Sequence, residues 1–285
     1  MENNEDYSKY EIRPDVLNYE DLRQMVPALD GHPKLVNFLI RFLSVDKVNK
    51  AHGACCDTPG PMFTTRLLFE QFKINLRVDN EQVLDNLPDG AFITVSNHPF
   101  GALDGISLIH LVGTRRPKFK VMVNMILNKI SAMRPNFIAV DAWASNDPDK
   151  RAVSVAGIRQ ALKQLRDGQP VGFFPAGAMS NTTLRDGLQD RPWQDSVLQI
   201  IYKAKVPVIP VFFHGGNSWW SNFLGHVCWP ARSLRMPAEV FRKVGKTIHV
   251  SIGNPISVEE QAKYTDAKSL GDMLRAKTYE LKSYK

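Results

Sequence analysis

The residues of this sequence best suited to chemistry are a histidine and an aspartate that follow a predicted strand. The apolar run Ala91–Ser96 leads into a loop that carries His98, and Asp104 follows six residues later. Near neutral pH an imidazole is the best side chain for accepting a proton from a hydroxyl, and a neighbouring carboxylate can orient the ring and stabilise the cation that forms. Because Gly101 and Gly105 allow this loop to turn back, we expect Asp104 to approach His98.

Two further predicted strands end in loops of small and polar residues. Val171–Phe174 is followed by Pro175–Asn181, and Val206–Phe213 is followed by His214–Ser218. A single loop of this kind is ordinary turn chemistry. Three of them indicate a shared cleft with exposed backbone N–H groups, which can stabilise a thioester carbonyl as it becomes an oxyanion.

Short apolar runs alternating with helical patterns must position these loops. Most of the runs lack polar alternation, as expected for strands buried on both faces. This pattern predicts an α/β domain with a mostly parallel central sheet flanked by helices, whose ligands bind beyond the carboxyl ends of the strands. The predicted strands are Ile74–Val78, Ala91–Ser96, Lys118–Val123, Phe137–Val140, Val171–Phe174, Val206–Phe213 and Thr247–Ile252. The predicted helices are Ala102–Val112, Arg151–Arg166, Gln194–Lys203, Ala238–Val244, Val258–Lys263 and Lys268–Leu281.

The N-terminal part of the chain has a different pattern. Residues 1–30 form an arm with a short helix expected around Val16–Val26, and residues 31–72 contain two amphipathic helices, Pro33–His52 and Pro61–Phe72. Their apolar faces either cover the sheet or rest in a lipid interface. We expect the α/β domain to occupy residues 73–285.

Composition excludes collagen-like, coiled-coil and mainly disordered proteins. The 285 residues are 44% hydrophobic and 23% charged, which is typical of a soluble globular protein. Three cysteines argue against a disulfide framework, and neither a spanning segment nor a secretory leader is evident, so we expect a cytoplasmic protein. We see no spacing typical of a metal site. The net charge of +7 arises entirely within residues 201–285, which suggests an anionic partner or a solvated basic surface.

Three motifs, in order, resemble the glycerolipid O-acyltransferases, the superfamily of the 1-acylglycerol-3-phosphate acyltransferases. They are Asn-His-Pro-Phe-Gly-Ala-Leu-Asp at 97–104, Phe-Phe-Pro-Ala-Gly at 173–177 and Val-Pro-Val-Ile-Pro-Val at 206–211. The resemblance covers about residues 60–256. It implies that His98 and Asp104 activate an acceptor hydroxyl, which attacks an acyl thioester of acyl carrier protein or coenzyme A. It also implies that the N-terminal helical pair seats the enzyme peripherally on the inner face of the cell membrane, with no resident cofactor.

On this basis the loops contain further candidate residues. We expect backbone N–H groups at Gly177 and Ala178 to serve the oxyanion and the acyl donor. The candidate acceptor contacts are Asn97, Ser180, His214 and Asn217. Asn97 and Ser180 could instead be turn caps, and His214 a loop histidine with satisfied hydrogen bonds.

The sequence departs from the common family pattern at informative positions. Five residues rather than four separate His98 from Asp104, Ala176 replaces a Glu, and Met179 and Ala142 stand where the family has phosphate-binding arginines. A phosphate site needs cationic donors. Their loss favours an acceptor without a phosphate monoester, although Arg134, Arg151 or Arg185 could substitute.

The variant motifs are most similar to the hemolysin-like subgroup, which includes ornithine- and glycine-lipid O-acyltransferases. That similarity implies a lyso-amino-lipid acceptor, reacting through the 3-hydroxyl of an amide-linked hydroxy fatty acid. The alternative is a 1-acylglycerol-3-phosphate O-acyltransferase that makes phosphatidate.

Two other functions are compatible with single features. His214-Gly215-Gly216 resembles an esterase oxyanion motif, but no Gly-x-Ser-x-Gly nucleophile elbow is present. The basic C-terminal third is compatible with a non-catalytic module that binds anionic membranes. Trp219, Trp220 and Trp229 do not form an evident base-stacking platform, so no nucleic-acid partner is expected. They suit an acyl tunnel, the core or a lipid interface.

Overall fold

The computed structural model describes residues 6–141, 148–183 and 187–283. All seven predicted strands are present within these ranges, together with two further short ones. In chain order the strands are β1 (Asn75–Asp79), β2 (Ile93–Ser96), β3 (Lys120–Asn124), β4 (Phe137–Val140), β5 (Val171–Phe173), β6 (Asn181–Thr183), β7 (Gly187–Gln189), β8 (Val208–His214) and β9 (Thr247–Ile252).

Seven of these strands form one central sheet in the order β1-β9-β8-β2-β5-β3-β4. Neighbouring strands are parallel except β8 and β9, which are antiparallel, so the mostly parallel sheet predicted from the sequence is confirmed. Every residue of β2 and β5 is buried, as expected for strands that are covered on both faces. Because β2, β5 and β8 run in one direction, the three loops that follow them meet at one edge of the sheet.

Helices cover both faces of this sheet. Within the described ranges they are α1 (Tyr19–Met25), α2 (Pro33–Phe42), α3 (Val45–Gly53), α4 (Pro61–Arg66), α5 (Gln82–Asp85), α6 (Ala102–Leu108), α7 (Pro148–Arg166), α8 (Asp195–Ala204), α9 (Trp219–Val227), α10 (Trp229–Leu234), α11 (Met236–Phe241), α12 (Val258–Gln261) and α13 (Ala267–Glu280). Wider π-helical turns extend α4 and α6, over Leu67–Gln71 and Ile109–Gly113.

The first predicted amphipathic helix is two helices. The chain breaks between α2 and α3 at Ser44, which has a left-handed φ of 60°. Apolar residues continue at helical spacing across this break, so periodicity alone could not reveal it. On α2 only Val36 is buried, whereas Leu35, Phe38 and Phe42 are exposed.

Two parts of the fold were not predicted. The strands β6 and β7 form a separate antiparallel hairpin of three residues each, too short to leave an apolar pattern. Helices α9 and α10 lie between β8 and β9, and their start is rich in tryptophan rather than regularly amphipathic. Trp219 and Trp220 are exposed, which excludes them from the core, while the side chain of Trp229 lies outside the described set.

The arm is fixed to the domain by ion pairs and hydrogen bonds. Asp21 of α1 is buried and lies 3.2 Å from Arg13 and 2.7 Å from Lys129. Both helices of the predicted pair then pack against the first of two apolar cores, which lie on opposite faces of the sheet. No helix in the described ranges is long and apolar enough to cross a bilayer.

Candidate active site

The start of α6 brings His98 and Asp104 together. Gly101 has a φ of 74°, which allows the chain after β2 to turn so that Asp104 lies beneath the loop. A side chain at Gly101 would also collide with Met236 and Met179. The Asp104 Oδ2 atom lies 3.0 Å from His98 Nδ1. The predicted approach of these two side chains is therefore present in the structure.

The Asp104 carboxylate is completely buried and firmly held. Its Oδ2 accepts hydrogen bonds from the backbone N–H groups of Phe100 and Gly101, both at 2.9 Å. These bonds fix the carboxylate at the first turn of α6, where the helix dipole favours negative charge. Burial raises the pKa of Asp104, and the contacts with His98 and the two N–H groups act in the opposite direction. The contact with Nδ1 is within hydrogen-bonding distance but poorly aligned, which is common before substrate binds.

The His98 imidazole is partly exposed, at 20% of its side-chain surface, so it remains accessible from solvent. Its ring lies against that of Phe174, with centroids 4.2 Å apart. Because Asp104 contacts Nδ1, the other ring nitrogen, Nε2, takes no part in this pair. No group in the described part of the chain hydrogen-bonds to Nε2.

A second buried carboxylate, Asp190, supports the loop of His98. Asp190 Oδ1 accepts hydrogen bonds from the His98 N–H at 3.2 Å and from the Ser180 hydroxyl at 2.6 Å. The backbone N–H of Asp190 donates to the Tyr279 hydroxyl at 2.8 Å. Burial raises the pKa of Asp190. Asp190 could not be predicted from the sequence, because it follows the unpredicted hairpin and has no motif around it.

The predicted acceptor contacts Asn97 and Ser180 have their polar atoms engaged within the protein. The Asn97 amide donates to the Phe213 carbonyl at 2.9 Å and accepts from the Phe213 N–H at 2.7 Å, joining the ends of β2 and β8. The Ser180 hydroxyl donates to Asp190, and the Ser180 N–H donates to the His98 carbonyl at 2.8 Å. These bonds occupy the polar atoms of both side chains and connect the loop of His98 to β8 and to Asp190.

The predicted oxyanion residues differ in what their N–H groups do. The Gly177 N–H donates to the Phe174 carbonyl at 2.9 Å, so it is used in a turn rather than held free for an oxyanion. Gly177 has a φ of 63°, and an added Cβ would collide with Gln194. In the described part of the chain the Ala178 N–H has no hydrogen-bond acceptor. Of the two, only Ala178 has a backbone donor to offer.

The other two predicted acceptor contacts lie in different places. Asn217 is nearly buried, and its amide nitrogen lies 4.0 Å from the sulfur of Met179, where the loops after β5 and β8 meet. His214 instead lies on the sheet beside β9. Its Nε2 is 2.7 Å from the Ser251 hydroxyl, and its ring stacks on that of His249 with centroids 4.0 Å apart. Burial lowers the pKa of His214, and neighbouring His249 adds to this effect.

The structure also brings together a grouping that the sequence spacing does not show. Asp79, His214 and His249 offer ligand atoms that all lie within 4.8 Å of one another. His214 and His249 are 35 positions apart in the sequence, but the register of β8 and β9 pairs them directly.

The arginines proposed to replace the missing phosphate ligands are only partly described. Arg134 donates to the backbone carbonyls of Asn128 at 2.7 Å and Glu11 at 3.3 Å, so it fixes the arm. Ala142, Arg185 and the side chain of Arg151 lie outside the described residues. Arg232 of α10 is almost completely buried and donates to the Ser180 carbonyl at 2.7 Å.

A mostly parallel sheet with a histidine–aspartate pair beyond its strand ends is typical of α/β proteins that bind ligands at this edge of the sheet. The chain belongs to the acyltransferase family, whose model matches residues 37–285. The protein is therefore an acyltransferase, and the resemblance noted in the sequence is confirmed.

Three similar proteins refine this placement. The chain is 27% identical over 232 residues to a lyso-glycine lipid O-acyltransferase of Bacteroides thetaiotaomicron, covering 78% of this chain and 80% of the relative. It is also 27% identical over 183 residues to a protein of the same name from Phocaeicola vulgatus, covering 61% and 62%. The crystal structure of the 1-acyl-sn-glycerophosphate acyltransferase PlsC from Thermotoga maritima shares the fold, with a TM-score of 0.50 and 20% identity over 79% of each chain.

Proposed function

We propose that this acyltransferase moves a fatty acyl group from a thioester to the hydroxyl of a lyso-amino-lipid, with His98 as general base. The observation that carries the proposal is the 3.0 Å contact between Nδ1 of the partly exposed His98 and a fully buried Asp104 carboxylate. A carboxylate in this position keeps the proton on Nδ1, so Nε2 is the nitrogen able to accept a proton.

The reaction then follows from the chemistry of the pair. Nε2 takes the proton of the acceptor hydroxyl while its oxygen attacks the thioester carbonyl. The resulting oxyanion is stabilised by backbone donors, for which Ala178 is the candidate. Collapse of this intermediate breaks the carbon–sulfur bond, and the imidazolium returns its proton to the leaving thiolate. The products are an O-acylated lipid and the free thiol of the carrier.

Two observations support an amino-lipid acceptor. The two relatives in the comparison are both named for lyso-glycine lipid. Met179 also stands where the phosphate-binding families have an arginine, and it is buried against Asn217. Without a cationic donor at this point, a phosphate monoester would be left without its usual partner.

The second candidate function is acyl transfer to 1-acylglycerol-3-phosphate, favoured by the shared fold of PlsC. The two functions are separated by offering lyso-glycine lipid, lyso-ornithine lipid and lysophosphatidate in parallel, each with acyl carrier protein and coenzyme A thioesters. We expect turnover with an amino-lipid acceptor. Turnover with lysophosphatidate alone would overturn the acceptor and leave the general base in place.

We propose that the enzyme works at a membrane surface as a peripheral protein. The unpartnered apolar residues of α2 support this, with Phe38 and Phe42 stacked on each other and Phe42 68% exposed. Such a helix face binds lipid through buried apolar area and is helped by nearby basic residues. Flotation with anionic vesicles tests it: Phe38→Asp/Phe42→Asp should remain unbound, whereas Val155→Asp, on α7, should float as the unchanged protein does.

A further inference from the structure

Three adjoining strands present metal-ligating side chains on one face of the sheet. Asp79 belongs to β1, His249 to β9 and His214 to β8, and the strand register pairs His214 with His249. Their ligand atoms lie within 4.8 Å of one another. None of the three takes part in the contacts that hold His98 and Asp104.

The local contacts already preorganise this group. His249 Nε2 is in close contact with Asp79 Oδ2, and Ser251 donates its hydroxyl to the same oxygen at 2.7 Å. The Ser251 hydroxyl also lies 2.7 Å from His214 Nε2. The two imidazole planes are inclined by only 10° and stack on each other. Nε2 of His214 and Nε2 of His249 lie close together, because each contacts one member of the hydrogen-bonded pair of Ser251 and Asp79.

We propose that Asp79, His214 and His249 form a binding site for a divalent transition-metal ion, with Zn²⁺ as the best match. Two imidazole nitrogens and one carboxylate oxygen are a donor set that this ion prefers. Bonds of about 2.0–2.2 Å would draw the three donors closer than they lie in the metal-free arrangement. One coordination position is then left for water or for a ligand from solvent.

The site is accessible to an ion from solvent. The side chains of Asp79 and His249 are 15% and 21% exposed. One neighbouring group opposes a cation, since the Nε atom of Arg77 lies 3.7 Å from Asp79 Oδ1. The Arg77 side chain is itself more than half exposed, so it can move into solvent when an ion binds. Because the positive charge of Arg77 opposes a bound cation, removing it should change the affinity of the site for a metal ion.

Titration of the metal-free protein tests the proposal without reference to acyl transfer. We expect one equivalent of Zn²⁺ to bind by calorimetry, and one equivalent of Co²⁺ to give visible absorption bands of a low-symmetry, four-coordinate site. His249→Ala and Asp79→Asn should each weaken binding by about 100-fold or more, and Ser251→Ala by about 10-fold, as for the loss of an outer-shell partner. Arg77→Gln should strengthen binding, and His32→Ala, which removes an exposed histidine elsewhere, should leave it unchanged.

NMR of the histidine side chains in the unsubstituted protein provides a test that does not depend on whether the variants fold. Zn²⁺ should shift the imidazole signals of two of the seven histidines. The proposal is overturned if no saturable binding occurs, if His249→Ala binds as tightly as the unsubstituted protein, or if other histidines respond. Because each readout measures binding, these outcomes are independent of the proposed acyl acceptor.

Discussion

Two histidine–aspartate pairs in the described part of the chain have similar contacts but different surroundings. In the pair His98–Asp104 the carboxylate is fully buried, held by two backbone N–H groups and followed by a helix. In the pair His249–Asp79 the carboxylate is partly exposed, accepts a hydrogen bond from Ser251 and forms an ion pair with Arg77. We propose different uses for these same two residue types. A fully buried carboxylate orients the imidazole of a general base, whereas a partly exposed carboxylate beside two imidazoles provides ligands for a metal ion.

Removing His98 should have the largest effect of any single change in either pair. His98→Ala deletes the partly exposed imidazole that we propose as the general base. We expect turnover to fall by ~10²–10⁴-fold, the usual contribution of general-base catalysis, with little change in the circular dichroism spectrum. A well-folded His98→Ala protein with unimpaired transfer would end the assignment of this residue.

Asp104→Asn should approach the loss caused by His98→Ala. The amide has nearly the same size, and its oxygen can still accept from the Phe100 and Gly101 N–H groups. Because this same atom faces His98 Nδ1, the amide oxygen would still lie beside the ring, but it carries no negative charge to stabilise the imidazolium that forms. Steady-state kinetics should show the loss in kcat with KM for the acyl donor little changed. A loss confined to KM would instead indicate a role in binding.

A pair of residues is easier to predict from the sequence when its two members are close together along the chain. His98 and Asp104 are close in sequence, and an apolar strand and two glycines mark the loop that joins them. The pairing of His214 with His249 depends on β9 running antiparallel to β8, and nothing in the composition of either strand indicates direction. Asp190 was missed for a related reason, because the hairpin that delivers it has three-residue strands without an apolar pattern. Strand positions were predictable because burial on both faces selects apolar residues.

Replacing Asp190, which accepts a hydrogen bond from the loop of His98, should have a smaller effect on turnover. Two variants distinguish the position of this side chain from its negative charge. Asp190→Ala removes the acceptor for both the His98 N–H and the Ser180 hydroxyl, and we expect turnover to fall by up to ~10²-fold because the base is misplaced. Asp190→Asn keeps an oxygen for both donors, so its loss should be well under that of Asp190→Ala. Equal losses in the two variants would show that the negative charge of Asp190, rather than its position, serves catalysis.

The smallest effect on turnover should come from the second pair. His249→Ala removes a partly exposed hydrogen bond and one face of an imidazole stack, so we expect the free energy of unfolding to fall by about 1 kcal/mol. Turnover should fall far less than in His98→Ala, because no contact in the described structure joins His249 to the buried Asp104. Denaturant unfolding and the acyl-transfer assay, run on both alanine variants, measure the two quantities together. If His249→Ala matched His98→Ala in lost turnover, the two pairs would be coupled. The end of β8, where Asn97 holds Phe213 one residue before His214, would then be the element that joins them.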